Sequence, residues 1–338
     1  MDIKEIIKKF KKTLEFKVQY GAYRNLVFKG GGVRGIAYMG ALQVLEEMGV
    51  LKNIQRVAGT SAGAIAATIT SFHLSFADTV NLFNTLDFEK IPQSKSMLKN
   101  PKFMQIKGNE NYRRLFEKYG WYSSEYFYKW LEETIAGFCE GNGRATFEDF
   151  QKFGHRDLFI VAANLSRHRS ELFSAKVTPR VAVADAVRIS MSIPLFFEAL
   201  RFDGQSFGSG DFYVDGGVYD NYPVHIFDEK EYSRSSLAYR KGVNWETLGL
   251  YLYPEKMLAQ DKPDLPRNLW EFVLLTGRNY YDSYEKSSML NDAIEKQRSI
   301  TISDCGISAL DFDIEPEGEK YNKLFNSGRD AARKFFNL

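Results

Sequence analysis

Apolar positions between residues 24 and 75 twice change from a strand-like run to a helix-like stripe. The run NLVFK leads into a glycine-rich loop and then IAYMGALQVLEEMG, a helical pattern that ends at Gly49. The run IQRVAG leads into a short turn and the alanine-rich helical pattern AGAIAATITSF. Strands that alternate with helices at this spacing are typical of α/β proteins with a largely parallel sheet.

The remaining pattern predicts further strands and helices without a break between domains. Strands are predicted for RDLFIVAANL, DFYVDGG, LGLYLYP and RSITIS. SSEYFYKWLEETIAGF predicts a helix with serine at its cap and glutamate in its first turn, and EKYNKLFNSGRDAARKFF predicts the last helix. With no repeat or linker, residues 21–338 are expected to form one domain, with core motifs over 26–228 and a helical and strand extension over 262–338.

Residues 1–20 predict a separate, basic amphipathic helix. Ile3, Ile6, Ile7, Phe10 and Leu14 fall on one helical face, and the segment carries six lysines against three acidic residues. Such a helix can dock its apolar face on the domain, or it can lie on an anionic membrane surface. The pattern is compatible with both.

Composition and charge exclude several classes of protein. Hydrophobic residues make up 44% of the 338 residues and the net charge is only +2, so nothing in the bulk charge indicates nucleic-acid binding. The two cysteines form neither a metal-type spacing nor a disulfide framework, and no EF-hand loop occurs. We therefore expect no metal and no cofactor. Without a long apolar window or a signal-peptide core, the expected location is cytoplasmic, with peripheral membrane contact as a further expectation.

The loop GGGVRG fits two kinds of phosphate-binding motif only in part. Gly30, Gly32 and Gly35 have the G-x-G-x-x-G spacing of a dinucleotide loop between a strand and a helix. That motif needs an acidic residue at the end of the second strand, where this chain has RVAGTS. A P-loop needs Lys-Ser or Lys-Thr after the last glycine, where Ile36 and Ala37 stand. A nucleotide-binding protein is therefore disfavoured.

The second strand ends in GTSAG, which has the G-x-S-x-G pattern of a nucleophile elbow. A sharp turn from strand to helix would expose Ser61 at the carboxyl edge of the sheet. Gly59 and Gly63 would remove the side chains that clash where strand and helix approach. The first amides of the helix favour negative charge at this place. Ser61 is thus a candidate nucleophile.

A serine nucleophile needs a base and donors for the developing oxyanion. Asp215 ends a strand and is followed by two glycines, which suits a base; a carboxylate that only caps its own loop is the alternative. The amides of Gly31, Gly32 and Val33 could hold the oxyanion, with Arg34 adding positive charge nearby. His73, His155 and His168 look like surface histidines.

Three motifs in this order resemble the patatin-like phospholipase family. They are GGGVRG at 30–35, GTSAG at 59–63 and DGG at 215–217. RATFEDF, AVRISMSIPLFF and the C-terminal DFDIEPEGEKYNKLFNSGRDAARKFF also look similar, so the resemblance covers nearly the whole chain after residue 24. The segment GWYSSEYFYKW and the N-terminal helix match least.

The resemblance implies a three-layer α/β/α sandwich with a central, largely parallel sheet, and phospholipase A or lipid acyl hydrolase activity without a cofactor. By residue, it implies Ser61 as the nucleophile and Asp215 as the base of a Ser–Asp dyad. The oxyanion would be held by Gly31, Gly32, Val33 and Arg34. The remaining motif positions are glycines: Gly30, Gly35, Gly59, Gly63, Gly216 and Gly217. A dyad of this kind requires Asp215 to be buried beside Ser61, because an ordinary aspartate is a weak base.

Two other functions remain open at this point. Ser61, Asp215 and His225 follow the chain order of an α/β-hydrolase triad. A catalytically weak lipid-binding relative is the second. For acyl chains, the candidate groove is formed by SIPLFFEAL, with Ile193, Leu195, Phe196 and Phe197, and by the region from Trp121 to Phe127; ordinary core packing is the alternative for both.

Overall fold

The computed structural model describes residues 23–91, 110–234, 236–255 and 293–338, together with residues 266, 272 and 275. The predicted helix over residues 1–20, and most of 262–292, lie outside these ranges. Helices in the described ranges are α1 Ile36–Glu47, α2 Ala62–Ser71, α3 Phe76–Asn84, α4 Glu110–Lys118, α5 Glu125–Phe138, α6 Phe147–Lys152, α7 Val183–Ser190, α8 Ala293–Gln297 and α9 Glu319–Phe336. Strands are β1 Asn25–Phe28, β2 Arg56–Thr60, β3 Gly120–Tyr122, β4 Asp157–Asn164, β5 Arg169–Ser174, β6 Leu195–Phe197, β7 Leu200–Phe202, β8 Asp211–Asp215, β9 Tyr239–Arg240, β10 Val243–Asn244, β11 Thr247–Tyr253 and β12 Ser299–Ser303.

The central sheet is parallel from one edge as far as β4 and antiparallel beyond it. Its strand order is β12-β11-β1-β2-β4-β8-β7, and β5 also pairs with β4. The pairings from β12 across to β4 are parallel, while β5, β8 and β7 pair antiparallel. The predicted α/β fold is thus confirmed, and the sheet is a mixed one.

Successive side chains along a strand point to opposite faces of the sheet, where they pack in two separate cores. Leu26 and Phe28 of β1 point into the larger core, which includes residues of α1, α2 and α9. Val27 of β1 points to the opposite face, where it packs in a smaller cluster with Val224 and Phe227. Apolar groups on both faces of the strands require cover on both faces, and this gives the three layers.

The aromatic stretch proposed as an acyl groove is part of the interior. Phe196 and Phe197 lie on β6, which pairs in parallel with β3. They are 5% and 0% exposed, and Trp121 and Phe127 are 2% and 0% exposed. The core-packing alternative is therefore correct for these side chains. None of the helices in the ranges given above combines the length and apolarity needed to cross a bilayer.

Candidate active site

Strands β2 and β8 meet end to end beside the long strand β4. Thr60, the last residue of β2, pairs with Val161, and Asp215, the last residue of β8, pairs with Ala162. β2 runs parallel to β4 and β8 runs antiparallel to it, so their carboxyl ends converge at neighbouring positions of β4. Ser61, which follows Thr60 directly, therefore comes next to Asp215.

The turn at Ser61 has the strained backbone of a nucleophile elbow. Ser61 has φ 55° and ψ −126°, a region in which non-glycine residues cost on the order of 1–3 kcal/mol. Its N–H donates to Ser190 Oγ at 2.9 Å, and Ser190 Oγ donates to the Val161 carbonyl at 2.6 Å. A Cβ at Gly59 would overlap the Gly63 carbonyl. The surroundings thus hold the strained turn in place.

The two oxygens of the Asp215 carboxylate have different surroundings. Oδ1 accepts from the Gly217 N–H at 2.7 Å, and the Asp215 N–H donates to the Ser192 carbonyl at 2.8 Å. Oδ2 is buried and has no partner with full hydrogen-bond geometry in the described part of the chain. Oδ1 therefore serves the loop-capping role considered from the sequence.

Burial controls the basicity of Asp215. Desolvation raises the pKa of this carboxyl from 3.8 to about 7, against smaller lowering effects from the Ser61 side chain and the Gly217 N–H. A side-chain base is most effective when its pKa is near the working pH. Asp215 was predicted to be buried beside Ser61, and both residues are 6% exposed.

The glycine loop lies against the elbow. A Cβ added at Gly30 would be 3.1 Å from Ser61 Cβ and would overlap the Asn221 side-chain oxygen. The Gly30 N–H donates to the Asn221 carbonyl at 3.0 Å. Within the described ranges, no acceptor contacts the N–H of Gly31 or Gly32.

Val33 and Arg34, which were expected to line the oxyanion site, both hydrogen-bond to other parts of the chain. The Val33 N–H donates to the Ala309 carbonyl at 3.1 Å. Arg34 donates from Nη1 to Asp304 Oδ2 at 2.9 Å and from Nε to the Gly31 carbonyl at 3.0 Å. The Val33 N–H and two of the Arg34 nitrogens, Nε and Nη1, thus have protein partners.

The other motif glycines allow close backbone packing. A Cβ at Gly35 would lie 3.2 Å from Ala62 Cβ, and one at Gly63 would overlap the Phe28 carbonyl. A Cβ at Gly216 would overlap the Val161 carbonyl, and Gly217 supplies the amide bound by Asp215. These positions hold the glycine loop, α2 and β8 together.

His225 is not placed as the third member of a triad. Its side chain is 62% exposed, and Nε2 lies 3.7 Å from Asp220 Oδ2. Burial raises the pKa of Asp220, and His225 partly offsets that effect. His73 and His168 are exposed, as expected, but His155 is half-buried with a ring nitrogen 3.1 Å from the Phe138 carbonyl.

Sequence reasoning missed two residues that build the site. Ser190 binds the Ser61 amide, and Asn221 brackets Gly30 through backbone and side chain, with Nδ2 3.3 Å from the Gly30 carbonyl. The only sequence signal was that both lie in or beside segments similar to the family. Over the described ranges, no group of three or more potential ligands is placed to hold a metal ion.

These features define a three-layer α/β protein with a serine at a strained strand-to-helix turn beside a buried carboxylate. The sequence profile described as patatin-like phospholipase matches residues 26–228. The chain therefore belongs to the patatin-like phospholipase family, as its motifs predicted.

Individual relatives are similar along most of this chain. It is 26% identical over 320 residues to the uncharacterized protein R571 of Acanthamoeba polyphaga mimivirus, covering 94% of this chain and 95% of R571. It is 33% identical over 214 residues to the uncharacterized protein YqhO of Bacillus subtilis, covering 62% and 68%. It is 26% identical over 229 residues to the probable lipid hydrolase 463L of Invertebrate iridescent virus 6, covering 65% and 69%.

Among solved structures, VipD from Legionella pneumophila has the same fold. The TM-score is 0.57 at 19% identity, covering 93% of this chain and 67% of that one. At this identity the similarity concerns the fold.

Proposed function

We propose that this protein is a lipid acyl hydrolase that cleaves acyl esters of phospholipids or related lipids, with phospholipase A-type cleavage by a Ser61–Asp215 dyad. Family membership supports lipid acyl hydrolysis, and the relative 463L is named a probable lipid hydrolase. The observation that carries the proposal is the buried Asp215 carboxylate, which interacts with Ser61 and has its pKa raised by burial to about 7.

The proposed reaction has two halves, with Asp215 moving the proton in each. Ser61 Oγ attacks the ester carbonyl carbon as Asp215 Oδ2 accepts the hydroxyl proton. The bond to the leaving alcohol then breaks, and the protonated Asp215 returns that proton to the alcohol oxygen. Water next attacks the acyl-enzyme, giving its proton to Asp215 and then to Ser61 as the fatty acid leaves.

In each tetrahedral intermediate, negative charge collects on the former carbonyl oxygen. The amides of Gly31 and Gly32 are the donors that we assign to it, since Val33 and Arg34 are bound to Ala309 and Asp304. Loss of a single donor of this kind typically lowers kcat by about 10²–10³-fold.

A fluorophosphonate probe and a panel of phospholipids and neutral acyl esters test the proposal. The native protein should be labelled and should release fatty acid. Ser61→Ala should abolish labelling, and Ser61→Ala and Asp215→Ala should each lower kcat by at least about 10³-fold. Ser236→Ala, at an exposed serine, is the matched control. Absence of labelling in the native protein would contradict a serine nucleophile.

The triad alternative is tested by His225→Ala in the same assay. Because His225 is exposed and paired with Asp220, turnover should remain within about twofold of native. Loss of nearly all turnover would instead support a Ser–Asp–His triad. A protein that binds lipid vesicles but shows neither labelling nor hydrolysis would be a lipid-binding relative.

We also infer peripheral contact with an anionic membrane through residues 1–20. The support is the basic, one-sided pattern of that segment and the lipid substrate class. The helix itself lies outside the described residues.

A further inference from the structure

The connection between β12 and α9 lies against the glycine loop of the active site. The Ala309 carbonyl accepts from Val33 N at 3.1 Å, and a Cβ at Gly32 would overlap the same carbonyl. Asp304, at the start of this connection, pairs with Arg34. The connection falls outside residues 26–228, the part matched by the family profile.

The Arg34–Asp304 ion pair is buried and held from both sides. Arg34 and Asp304 are 8% and 4% exposed, with Nη1 and Oδ2 2.9 Å apart. Asp304 Oδ1 also accepts from the N–H groups of Gly306 at 2.8 Å and Glu255 at 3.0 Å. A buried pair with its other lone pairs satisfied is costly to break, so the position of the guanidinium is fixed.

Arg34 also hydrogen-bonds to the glycine loop, so the fixed guanidinium restrains that loop. Its Nε donates to the Gly31 carbonyl at 3.0 Å. No cis peptide occurs in the described chain, and in a trans peptide the C=O and the next N–H point in opposite directions. Holding the Gly31 carbonyl therefore fixes the direction of the Gly32 N–H. Gly32 has φ +59°, so few other side chains could replace it without strain.

We infer that Asp304 is a positioning residue for the oxyanion site, acting through Arg34 to aim the Gly32 amide. This inference rests on the proposed function, because it assigns a purpose to the amides that would hold the oxyanion. Arg34 then serves as a strut between Asp304 and Gly31. The segment after β12 becomes a structural part of the active site.

Two variants of the full chain test this role. Asp304→Asn removes the charge that holds the guanidinium. Arg34→Lys keeps a cation for Asp304 but cannot also donate to the Gly31 carbonyl as the planar fork does. For each, we expect kcat to fall about 10- to 100-fold with KM within about threefold of native, since the donor is misaligned mainly for the transition state. The rate of fluorophosphonate labelling should fall by a similar factor.

The matched control is Asp228→Asn, at the other end of β12. Asp228 pairs with Arg298 through two contacts of 2.6 and 2.7 Å, and Arg298 is 3% exposed. Arg298 comes directly before β12 and Asp304 directly after it. The control breaks a similarly buried pair, so it should lower the melting temperature while kcat of the folded protein stays within about twofold of native.

Native kcat in both folded variants, Asp304→Asn and Arg34→Lys, would overturn the inference and leave the proposed hydrolase intact. If Asp304→Asn does not fold, Arg34→Lys decides alone, because its ion pair can be retained. A fall in kcat of the same size in Asp228→Asn would show that any broken buried pair has this effect, and would also overturn the inference. If the native protein has no Ser61-dependent hydrolysis, the proposed function fails, and the inference fails with it.

Discussion

At the scale of single residues, the proposed role of Asp215 requires a carboxylate that is both buried and ionised. A carboxylate in water is a weak base, and one without partners in the interior is costly to ionise. Here Oδ1 accepts from the Gly217 N–H, the carboxylate interacts with Ser61, and burial raises the pKa to about 7. The ionised carboxylate is thus a stronger base than that of an ordinary aspartate. Its ionisation also lowers the stability of the folded protein.

This pKa predicts how activity depends on pH. If ionised Asp215 is the base, kcat/KM should fall as pH decreases through about 7, approaching tenfold per pH unit below it. Initial rates on a short-chain ester, measured across pH 5–9, check the limb. An acidic limb centred near pH 4 would contradict the effect of burial.

The same shift predicts a change in stability when the charge is removed. Because the pKa is raised from 3.8 to about 7, Asp215 contributes stability that is fully present below pH 3.8 and is lost as pH rises through 7. The total loss in the free energy of unfolding is at most about 4 kcal/mol. Asp215→Asn avoids that loss because asparagine does not ionise, and its side-chain oxygen can still accept from the Gly217 N–H. The variant should be inactive and about 2–4 kcal/mol more stable than native at pH 8, with the difference shrinking towards pH 4.

Chemical denaturation of both proteins at several pH values measures this difference. A variant that is less stable than native at pH 8 would show that ionised Asp215 is well compensated in the folded protein.

At the scale of elements, most helices and strands were predictable, because their patterns repeat over many residues. The last helix occupies 319–336, the segment predicted for it, and the predicted strands over 157–164 and 299–303 are present. The short strands β3 and β6 were missed. Their aromatic residues resemble those of a binding groove as much as those of a core, and only long-range pairing distinguishes the two.

The contact between α2 and β1 leads to a prediction about Gly63. A Cβ there would lie 2.7 Å from the Lys29 carbonyl oxygen and would overlap the Phe28 carbonyl. Gly63→Ala should therefore push α2 away from the sheet, lower stability by about 3 kcal/mol or more and displace Ser61. Thermal unfolding and probe labelling measure the two effects.

Gly137→Ala is the matched control for that substitution. Gly137 lies in α5 with nothing within 4 Å of an added Cβ, so the change should stabilise the protein by up to about 1 kcal/mol. Equal effects at Gly63 and Gly137 would show that the close approach at α2 is not limiting.

At the scale of the whole molecule, the predicted basic segment gives a test of membrane contact. Replacing Lys4, Lys8, Lys11 and Lys12 by glutamine in the full chain should weaken co-sedimentation with anionic vesicles, by about 1 kcal/mol for each lysine near the surface. Hydrolysis of a dispersed short-chain ester should not change. Unchanged vesicle binding would leave docking on the domain as the role of this segment.

The sequence by itself determined the fold class, the family and the two residues of the proposed dyad. These depend on local pattern: a strand, a glycine-flanked serine and a helix, and later a strand ending in Asp-Gly-Gly. Local pattern is readable because strand, turn and helix geometries each restrict nearby residue types.

Only the tertiary structure decided what surrounds those residues. The antiparallel direction of β8 brings Asp215 beside Ser61. The sequence pattern did not predict this direction, because it indicated a largely parallel sheet. Val33 and Arg34 hydrogen-bond to Ala309 and Asp304, which lie some 270 residues further along the chain. The physical reason is that hydrogen bonds and burial depend on distance in space, while the sequence shows only distance along the chain.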